Sequence, residues 1–246
     1  MIVTSTLSGE ALPGLAEALA RRGWELRSRP LLRFLPPLDW SPVDAALRAA
    51  SRFGAIALTS PRAAAALRRR AGWLGTELAE LPPLWAVGPA TAAAVGWPAC
   101  VPATPGGGGA LAAAMLEAGV RSPVLHLTTE EHRPEPGATL RARGMTVEEL
   151  GCYRVEHAKP GVILTAMAGG HPVLIVSHRV LTAAARLLPP PARPPLVALG
   201  PRTAEAALAR GWTPLATAVA PTIPGIVAAL GDPTPGPAGR YGATLR

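Results

Sequence analysis

This chain of 246 residues has few aromatic and charged side chains, which make up 4% and 16% of it, whereas apolar residues make up 49%. A chain of this composition can bury a substantial core, built mainly from Ala, Leu and Val, and is not disordered. Its two cysteines, Cys100 and Cys152, form no C-x-x-C pair. A structural zinc site is therefore not expected, and the cysteine usage is typical of a reduced, cytosolic protein.

Long apolar runs are also missing. The longest weakly polar stretch, near Ala110 to Met115, is far too short to span a bilayer. The first twelve residues lack a basic segment followed by an apolar one, so we expect no signal peptide. The sequence predicts a soluble, cytoplasmic protein without a membrane partner.

Several motifs of known chemistry are incomplete. The glycines of Pro105 to Gly109 are not followed by the Gly-Lys-Ser/Thr of a phosphate-binding loop, and a flexible strand-to-helix connection is the better interpretation. The histidines show neither H-x-H nor H-x-x-x-H spacing, which predicts no metal site. The absence of G-x-S-x-G excludes an α/β-hydrolase nucleophile.

The formal charge of +8 comes almost entirely from arginine, because Lys159 is the only lysine. The excess has two open explanations, codon bias in a GC-rich genome or binding of an acidic small molecule through the arginine fork. Nucleic acid would call for a concentrated basic stripe. The densest run, Arg68 to Arg70, ends a predicted helix and fits dipole complementation instead, so we expect no nucleic-acid partner.

The chain contains an internal repeat. An apolar strand, a Ser-containing turn and an Ala-rich helix begin at Ala55 and again at Val173, and each is followed by a second strand and a Gly-Pro-x-Thr turn. Ser60 thus corresponds to Ser177, and Thr91 to Thr203. Short strands alternating with helices predict parallel sheets with right-handed crossovers. We therefore expect an α/β protein with two similar parallel-sheet domains of the flavodoxin or Rossmann type.

The turns after these strands are the candidate site. Ligands of open parallel sheets bind beyond the carboxyl ends of the strands. Free N–H groups at helix starts bind carboxylates, although each turn taken alone is better explained as a simple helix cap. Their repetition in both halves favours a shared anion-binding cleft.

Six segments, in order, resemble the uroporphyrinogen-III synthase family over about residues 1 to 230. They are ALTSPRAAAAL, WAVGPATAAAV, VEELGCYRVEH, LIVSHRVLTAAARLL, VALGPRTAEAALARGW and APTIPGIVAAL. The resemblance implies one domain of residues 1–32 with 158–230 and an inserted domain of 39–150. Segments 30–37 and 151–158 would pair as a two-stranded hinge ladder, and a loosely ordered tail of 231–246 would follow.

The resemblance also implies a substrate and a reaction. The family closes hydroxymethylbilane, a linear tetrapyrrole with eight carboxylates, into uroporphyrinogen III by losing water and inverting the last pyrrole. Neither a metal nor an organic cofactor is needed. Positioning a flexible octa-anion can contribute several kcal/mol, up to roughly 7–11 kcal/mol in ideal cases. We expect a monomeric lyase.

The family's catalytic tyrosine matches Tyr153, the favoured proton donor to the departing hydroxyl. A ladder residue that only packs is the alternative for this position. Four family positions that line the cleft match Ser60, Thr91, Ser177 and Thr203. We add the neighbouring Arg154, Arg179 and Arg202, each of which is equally explained as a solvated surface charge.

This sequence departs from the family pattern in two turns. Thr4 to Leu7 stand where the family commonly has Thr-Arg-Pro, and Ser177-His178 where it often has Ser-Pro. These departures leave one alternative, a non-catalytic two-domain ligand-binding or regulatory protein on the same scaffold.

Overall fold

The computed structural model describes residues 1–8, 12–104 and 106–233. The chain divides into two compact units. Unit 1 comprises Met1–Arg33 and the chain from Glu156 onward, and unit 2 comprises Phe34–Val155.

The strands and helices alternate along the described residues. The strands are β1 (Ile2–Ser5), β2 (Glu25–Ser28), β3 (Leu32–Leu35), β4 (Ala55–Leu58), β5 (Leu84–Ala86), β6 (Ala99–Cys100), β7 (Val124–Thr129), β8 (Val147–His157), β9 (Val173–Ile175), β10 (Leu196–Ala198) and β11 (Pro214–Thr217). The α-helices are α1 (Leu15–Ala20), α2 (Ser41–Arg48), α3 (Pro61–Leu74), α4 (Pro89–Val95), α5 (Gly107–Glu117), α6 (Gly137–Ala142), α7 (Pro160–Met167), α8 (His178–Leu187), α9 (Pro201–Leu208) and α10 (Ile223–Leu230).

Unit 1 is built on a sheet with the order β11-β10-β9-β1-β2, in which every neighbouring pair is parallel. Numbered along the chain, this is the 2-1-3-4-5 order of flavodoxin-like folds. The central strands are apolar on both faces: Leu174 packs in one core cluster, whereas Val173 and Ile175 pack in another. Such continuous apolar strands are required because helices cover both faces of a parallel sheet.

Unit 2 repeats this arrangement with a cyclic shift. Its sheet has the order β3-β8-β7-β4-β5-β6, and the pairs from β8 to β6 are parallel. If β7 is counted first, β8-β7-β4-β5-β6 again reads 2-1-3-4-5. The predicted α/β class with two similar parallel-sheet units is confirmed. The place of β3 beside β8 is part of this order, whereas a hinge role for 30–37 and 151–158 stays a prediction.

The expectation for the glycine-rich segment changes. Gly107 to Gly109 form the first turn of α5 and are not a flexible connection; Pro105 lies outside the described residues. A Cβ on Gly108 would come within 2.9 Å of three Glu135 atoms, so the helix start needs glycine for this close approach.

The expected loose tail, 231–246, lies outside the described residues from position 234 on. Its first residues make defined contacts. The Trp24 indole donates to the Gly231 carbonyl at 2.9 Å, and Arg22 lies 3.0 Å from the Asp232 carboxylate. Within the described part of the chain, no helix is long and apolar enough to cross a membrane.

Candidate functional site

The polar turns follow neighbouring strands in each unit. In unit 2, Ser60 follows β4 and Thr91 lies at the start of the helix after β5, and β4 pairs with β5. In unit 1, Ser177 follows β9 and Thr203 lies at the start of the helix after β10, and β9 pairs with β10. Since carboxyl ends of parallel strands meet at one edge, each unit gathers its two turns at that edge.

Ser60 is the N-cap of α3 and also contacts the tyrosine that the sequence singles out. Its hydroxyl oxygen accepts the Ala63 backbone N–H at 3.1 Å. The same oxygen lies 3.2 Å from the Tyr153 hydroxyl. Because Ser60 has a hydrogen to donate as well, it can cap the helix and donate to the phenolic oxygen at the same time. The structure thus brings these two predicted site residues together.

A β-bulge turns Tyr153 towards Ser60. Along the β7–β8 ladder, Thr128 pairs with Gly151 but Thr129 pairs with Tyr153, so Cys152 is the extra residue. Leu150 and Cys152 face the core cluster that also contains α3, and strict alternation would turn Tyr153 away from it. Because of the bulge, Tyr153 packs against this cluster too.

Phe34 lies against Tyr153 and Arg62 stands over the Phe34 ring, and sequence reasoning missed both. The ring centroids of Phe34 and Tyr153 are 6.4 Å apart, and the Arg62 guanidinium carbon stands 3.4 Å from the Phe34 centroid. Arg62 belongs to the repeat segment ALTSPR, two residues after Ser60. Its position in the first turn of α3 was the available signal, and it puts a cation near the tyrosine.

Thr91 and Arg154 are the remaining predicted site residues of unit 2. Thr91 is 2% exposed, and its backbone N–H bonds to the Gly88 carbonyl at 3.0 Å. Arg154 follows Tyr153 on β8 and is half-buried. Their roles in binding stay predictions.

A polar cluster surrounds the buried His126 on the other face of the unit 2 sheet, and no sequence pattern indicated it because its members are far apart along the chain. Thr59 Oγ1 is 3.0 Å from His126 Nε2, and His126 Nδ1 is 3.0 Å from Glu149 Oε1. Glu149 also binds Arg141 and lies 3.3 Å from His132 Nε2. We call Thr59, His126, Glu149, His132 and Arg141 the histidine cluster.

Ionisation within the histidine cluster follows from its burial. Burial lowers the pKa of His126, which is fully buried, and this effect outweighs the bond from Glu149 that acts in the opposite direction. Burial raises the pKa of Glu149, but the bonds from Arg141 and His126 outweigh it, so the net shift of that pKa is downward. Near neutral pH, the cluster therefore contains a neutral His126 and an ionised Glu149.

In unit 1, the predicted site residue Thr203 bonds to the backbone of its own unit. The Thr203 hydroxyl donates to the Val176 carbonyl at 3.0 Å, and the residue is 5% exposed. Thr203, Arg202 and Gly200 line a cavity of about 400 Å³ together with Val176, Leu199 and Pro201. Thr203 thus holds the start of α9 against the end of β9, and Arg202 is the exposed charged side chain of that wall.

Ser177 and Arg179 occupy the start of α8. Ser177 is the N-cap by position, but its side chain makes no capping hydrogen bond, and its carbonyl accepts the Leu181 N–H at 3.0 Å. Arg179 lies in the first turn and is exposed to an intermediate degree. They share the strand edge with Thr203, and their predicted binding roles rest on that position.

The His and Glu side chains of the histidine cluster are not placed to hold a metal ion. Across 1–8, 12–104 and 106–233, no group of three or more His, Cys, Asp or Glu is placed to hold a metal ion. Both cysteines are free thiols. Burial raises the pKa of Cys152 to about 12, so this thiol stays protonated at neutral pH.

Comparison with known proteins identifies relatives of the whole chain. The family model described as Uroporphyrinogen-III synthase HemD matches residues 14–228. A mutant uroporphyrinogen III synthase from the extremely thermophilic bacterium Thermus thermophilus is 18% identical, with a TM-score of 0.63 over 93% of this chain and 96% of that one. The uroporphyrinogen-III synthetase from Helicobacter pylori 26695 is 14% identical, with a TM-score of 0.61 over 92% of this chain and 96% of that one. A search of curated protein sequences finds no significant match.

Proposed function

Because the chain belongs to the uroporphyrinogen-III synthase family, we propose that it converts hydroxymethylbilane into uroporphyrinogen III, with inversion of the terminal pyrrole ring. The protein would be a lyase of tetrapyrrole biosynthesis. The observation that carries the proposal is the contact between Tyr153 and Ser60 at the strand edge of unit 2.

The reaction requires little covalent chemistry from the protein. The C–O bond of the hydroxymethyl group breaks, and the hydroxyl takes a proton and leaves as water. The cationic azafulvene left behind is attacked by the substituted carbon of the terminal pyrrole. In the resulting spiro intermediate, the bond between that carbon and the methylene of the third ring breaks, and the methylene bonds to the other α-carbon of the terminal pyrrole, which inverts that ring. The second α-carbon then loses its proton to complete the closure. That proton restores the acid, so water is the only by-product.

Tyr153 is the residue assigned to the departing hydroxyl. When Ser60 donates its hydrogen to the phenolic oxygen, the phenolic hydrogen is directed away from Ser60 and towards a substrate. After proton transfer, the same Ser60 bond stabilises the phenolate. A positioned acid of this kind typically raises the reaction rate by about 10²- to 10⁴-fold.

The second task is to hold eight carboxylates. We assign the binding of these carboxylates to seven residues: Ser60, Thr91, Ser177, Thr203, Arg154, Arg179 and Arg202. Arg202 is exposed on the wall of its cavity and suits a carboxylate directly. The Thr203 hydroxyl is already engaged with Val176, so its part is to fix the turn that presents Arg202. The net charge of +8 favours encounter with an octa-anion.

The decisive experiment supplies the purified protein with freshly generated hydroxymethylbilane and separates the oxidised products by isomer. Spontaneous closure gives the type I isomer, so a dominant type III product is the expected result. Type I alone, at the uncatalysed rate and from protein shown to be folded, would overturn the proposal in favour of a tetrapyrrole-binding protein without catalysis.

A cytoplasmic location and a monomeric state belong to the same proposal. Free thiols at Cys100 and Cys152 support a reducing compartment. Light scattering during size exclusion should give a mass near 25.2 kDa, and a mass twice as large would reject the monomer. Retention by a nucleic-acid column at physiological salt would reject the expected absence of that partner.

A further inference from the structure

Thr59 and Ser60 are consecutive residues that are held on opposite faces of the unit 2 sheet. Ser60 has extended backbone angles, φ −155° and ψ 152°, which turn neighbouring side chains to opposite sides. Ser60 meets Tyr153 on the face covered by α3. Thr59 meets His126, whose ladder partner Ala57 packs in the core cluster of the other face. The turn is therefore held from both sides.

The hydrogen positions in the histidine cluster follow from its chemistry. An ionised Glu149 can only accept, so His126 Nδ1 must carry the hydrogen between them. Nε2 of a neutral imidazole then has no hydrogen and accepts. The hydroxyl of Thr59 consequently donates to Nε2 across 3.0 Å. This sequence of donors and acceptors is the one that orients a histidine and a hydroxyl in hydrolytic triads.

We propose that His126 is a positioning residue for the reaction: by accepting the Thr59 hydroxyl hydrogen, it fixes the backbone from which Ser60 reaches Tyr153. The inference rests on the proposed function for its kinetic consequence. Nothing in it requires His126, which is fully buried, to touch a substrate. His126 acts through Thr59, and Glu149 acts by selecting the tautomer that can accept.

Three ionisable groups face His126 from the elements packed against it. Glu149 faces it from β8, Arg141 from α6, and His132 from the segment between β7 and α6. Ala57 on the neighbouring β4 strand is not ionisable. A proton on Nε2 would reverse the Thr59 bond, because Nε2 would then donate to the hydroxyl oxygen and turn its hydrogen away. Acid should therefore lower turnover through His126 as well as through substrate ionisation.

Two amide replacements separate the two hydrogen bonds of His126. In His126→Gln, the amide oxygen reaches the position of Nε2 and can still accept from Thr59. In His126→Asn, the shorter amide reaches only the position of Nδ1, so it can bind Glu149 but not Thr59. We expect His126→Asn to lower kcat by about 10- to 100-fold with little change in KM, and His126→Gln by less than about threefold. His157→Asn, at the exposed end of β8, is the matched control.

Substitutions at Thr59 approach the same bond from its other end. Thr59→Val removes the donor and should lower kcat about as much as His126→Asn, whereas Thr59→Ser keeps the hydroxyl and should retain most of the turnover. The acidic limb of the kcat–pH profile should also lose its His126 component in both amide variants. Equal kcat values for His126→Gln and His126→Asn, measured per folded molecule, would overturn the proposal.

A readout without turnover keeps this inference separate from the proposed function. Nitrogen-15 NMR of labelled imidazoles should show His126 with its hydrogen on Nδ1, and Thr59→Val should shift its Nε2 resonance. The Ala63 amide, which bonds to Ser60, should shift in His126→Asn but not in His126→Gln. A hydrogen on Nε2, or an unmoved Ala63 signal, would reject the positioning role. If the unaltered protein gives only the type I product, the proposed function fails while these signals still decide the hydrogen-bond arrangement.

Discussion

The two units have the same strand order but secure their strand-end turns differently. In unit 1, Thr6 Oγ1 donates to the Leu174 carbonyl at 2.8 Å and Thr203 Oγ1 donates to the Val176 carbonyl at 3.0 Å. In unit 2, the turn after β4 is held by side chains, with Thr59 on His126 and Ser60 on Tyr153. Backbone carbonyls cannot change protonation between pH 5 and 8, whereas an imidazole can.

The groups to which the turns bond therefore distinguish two units that share one strand order. The Thr6 and Thr203 hydroxyls of unit 1 bond to backbone carbonyls, so these two hydrogen bonds contain no group that titrates near neutral pH. Turns that bond to ionisable side chains can respond to pH, and the turn after β4 lies beside Tyr153, the acid of the proposed reaction. The proposed function would therefore divide binding and chemistry between the two repeated units, and four predictions test that division.

Tyr153→Phe should have the largest effect. Removing the phenolic hydroxyl removes the proposed acid and should lower kcat by about 10²- to 10⁴-fold, while the packed ring preserves the fold. Steady-state assay of type III product, with circular dichroism as the folding control, measures both. Unchanged turnover would remove Tyr153 from catalysis and leave unit 2 without its distinguishing chemistry.

A matched pair of glycines tests whether the Gly-Pro turns are equivalent. Gly200 has φ +136°, which side-chain-bearing residues rarely adopt, whereas Gly88 has φ 179°. No atom lies within 4 Å of a Cβ added at either. Gly200→Ala should therefore lower the free energy of unfolding by about 1–3 kcal/mol through backbone strain alone.

Gly88→Ala should change the same quantity by less than about 0.5 kcal/mol, because an extended backbone accepts any residue. Urea titration of both variants gives the comparison. Similar losses at the two positions would mean that the turns are strained alike.

The two N-cap serines should differ in the same experiment. Ser60 accepts the Ala63 N–H, so Ser60→Ala should cost about 1 kcal/mol of stability and also lower kcat. Ser177 makes no capping bond with its side chain, so Ser177→Ala should cost only a few tenths of a kcal/mol on the same scale. A larger stability loss at Ser177 than at Ser60 would contradict the contrast between the units.

The smallest effect should appear in the pH dependence of stability. Burial lowers the pKa of His126 below its ordinary value of 6.5, so the unfolded chain binds more protons than the folded one just below that pH. The contribution of neutral His126 to the free energy of unfolding is complete above about pH 6.5, and it is lost as the pH falls towards the lowered pKa. Unfolding free energies at successive pH values should decline over this window, and His126→Gln should remove that part of the decline. An identical decline in the variant would assign it to other groups.

Sequence reasoning reached the fold class and the family, both of which are confirmed, because they depend on local patterns. Apolar strands, Pro-initiated helices and the repeated Ser and Gly-Pro-x-Thr turns each lie within a few neighbouring residues. It also selected Ser60 and Tyr153, which the structure brings within 3.2 Å. It missed Phe34, Arg62 and the histidine cluster, since contacts such as Thr59 with His126 join residues 67 positions apart.

The amino-acid sequence by itself predicts the alternation of strands and helices, the parallel sheets and the family. It can do so because hydrophobic periodicity and capping act over short range. Three features arise only from tertiary packing: the cyclic shift between the units, the engagement of the Thr203 hydroxyl, and the side of the sheet to which Tyr153 points. The last of these depends on the bulge at Cys152, where the pairing of β8 with β7 shifts by one residue. Pairing with a distant strand thus fixes what alternation along β8 alone would have reversed.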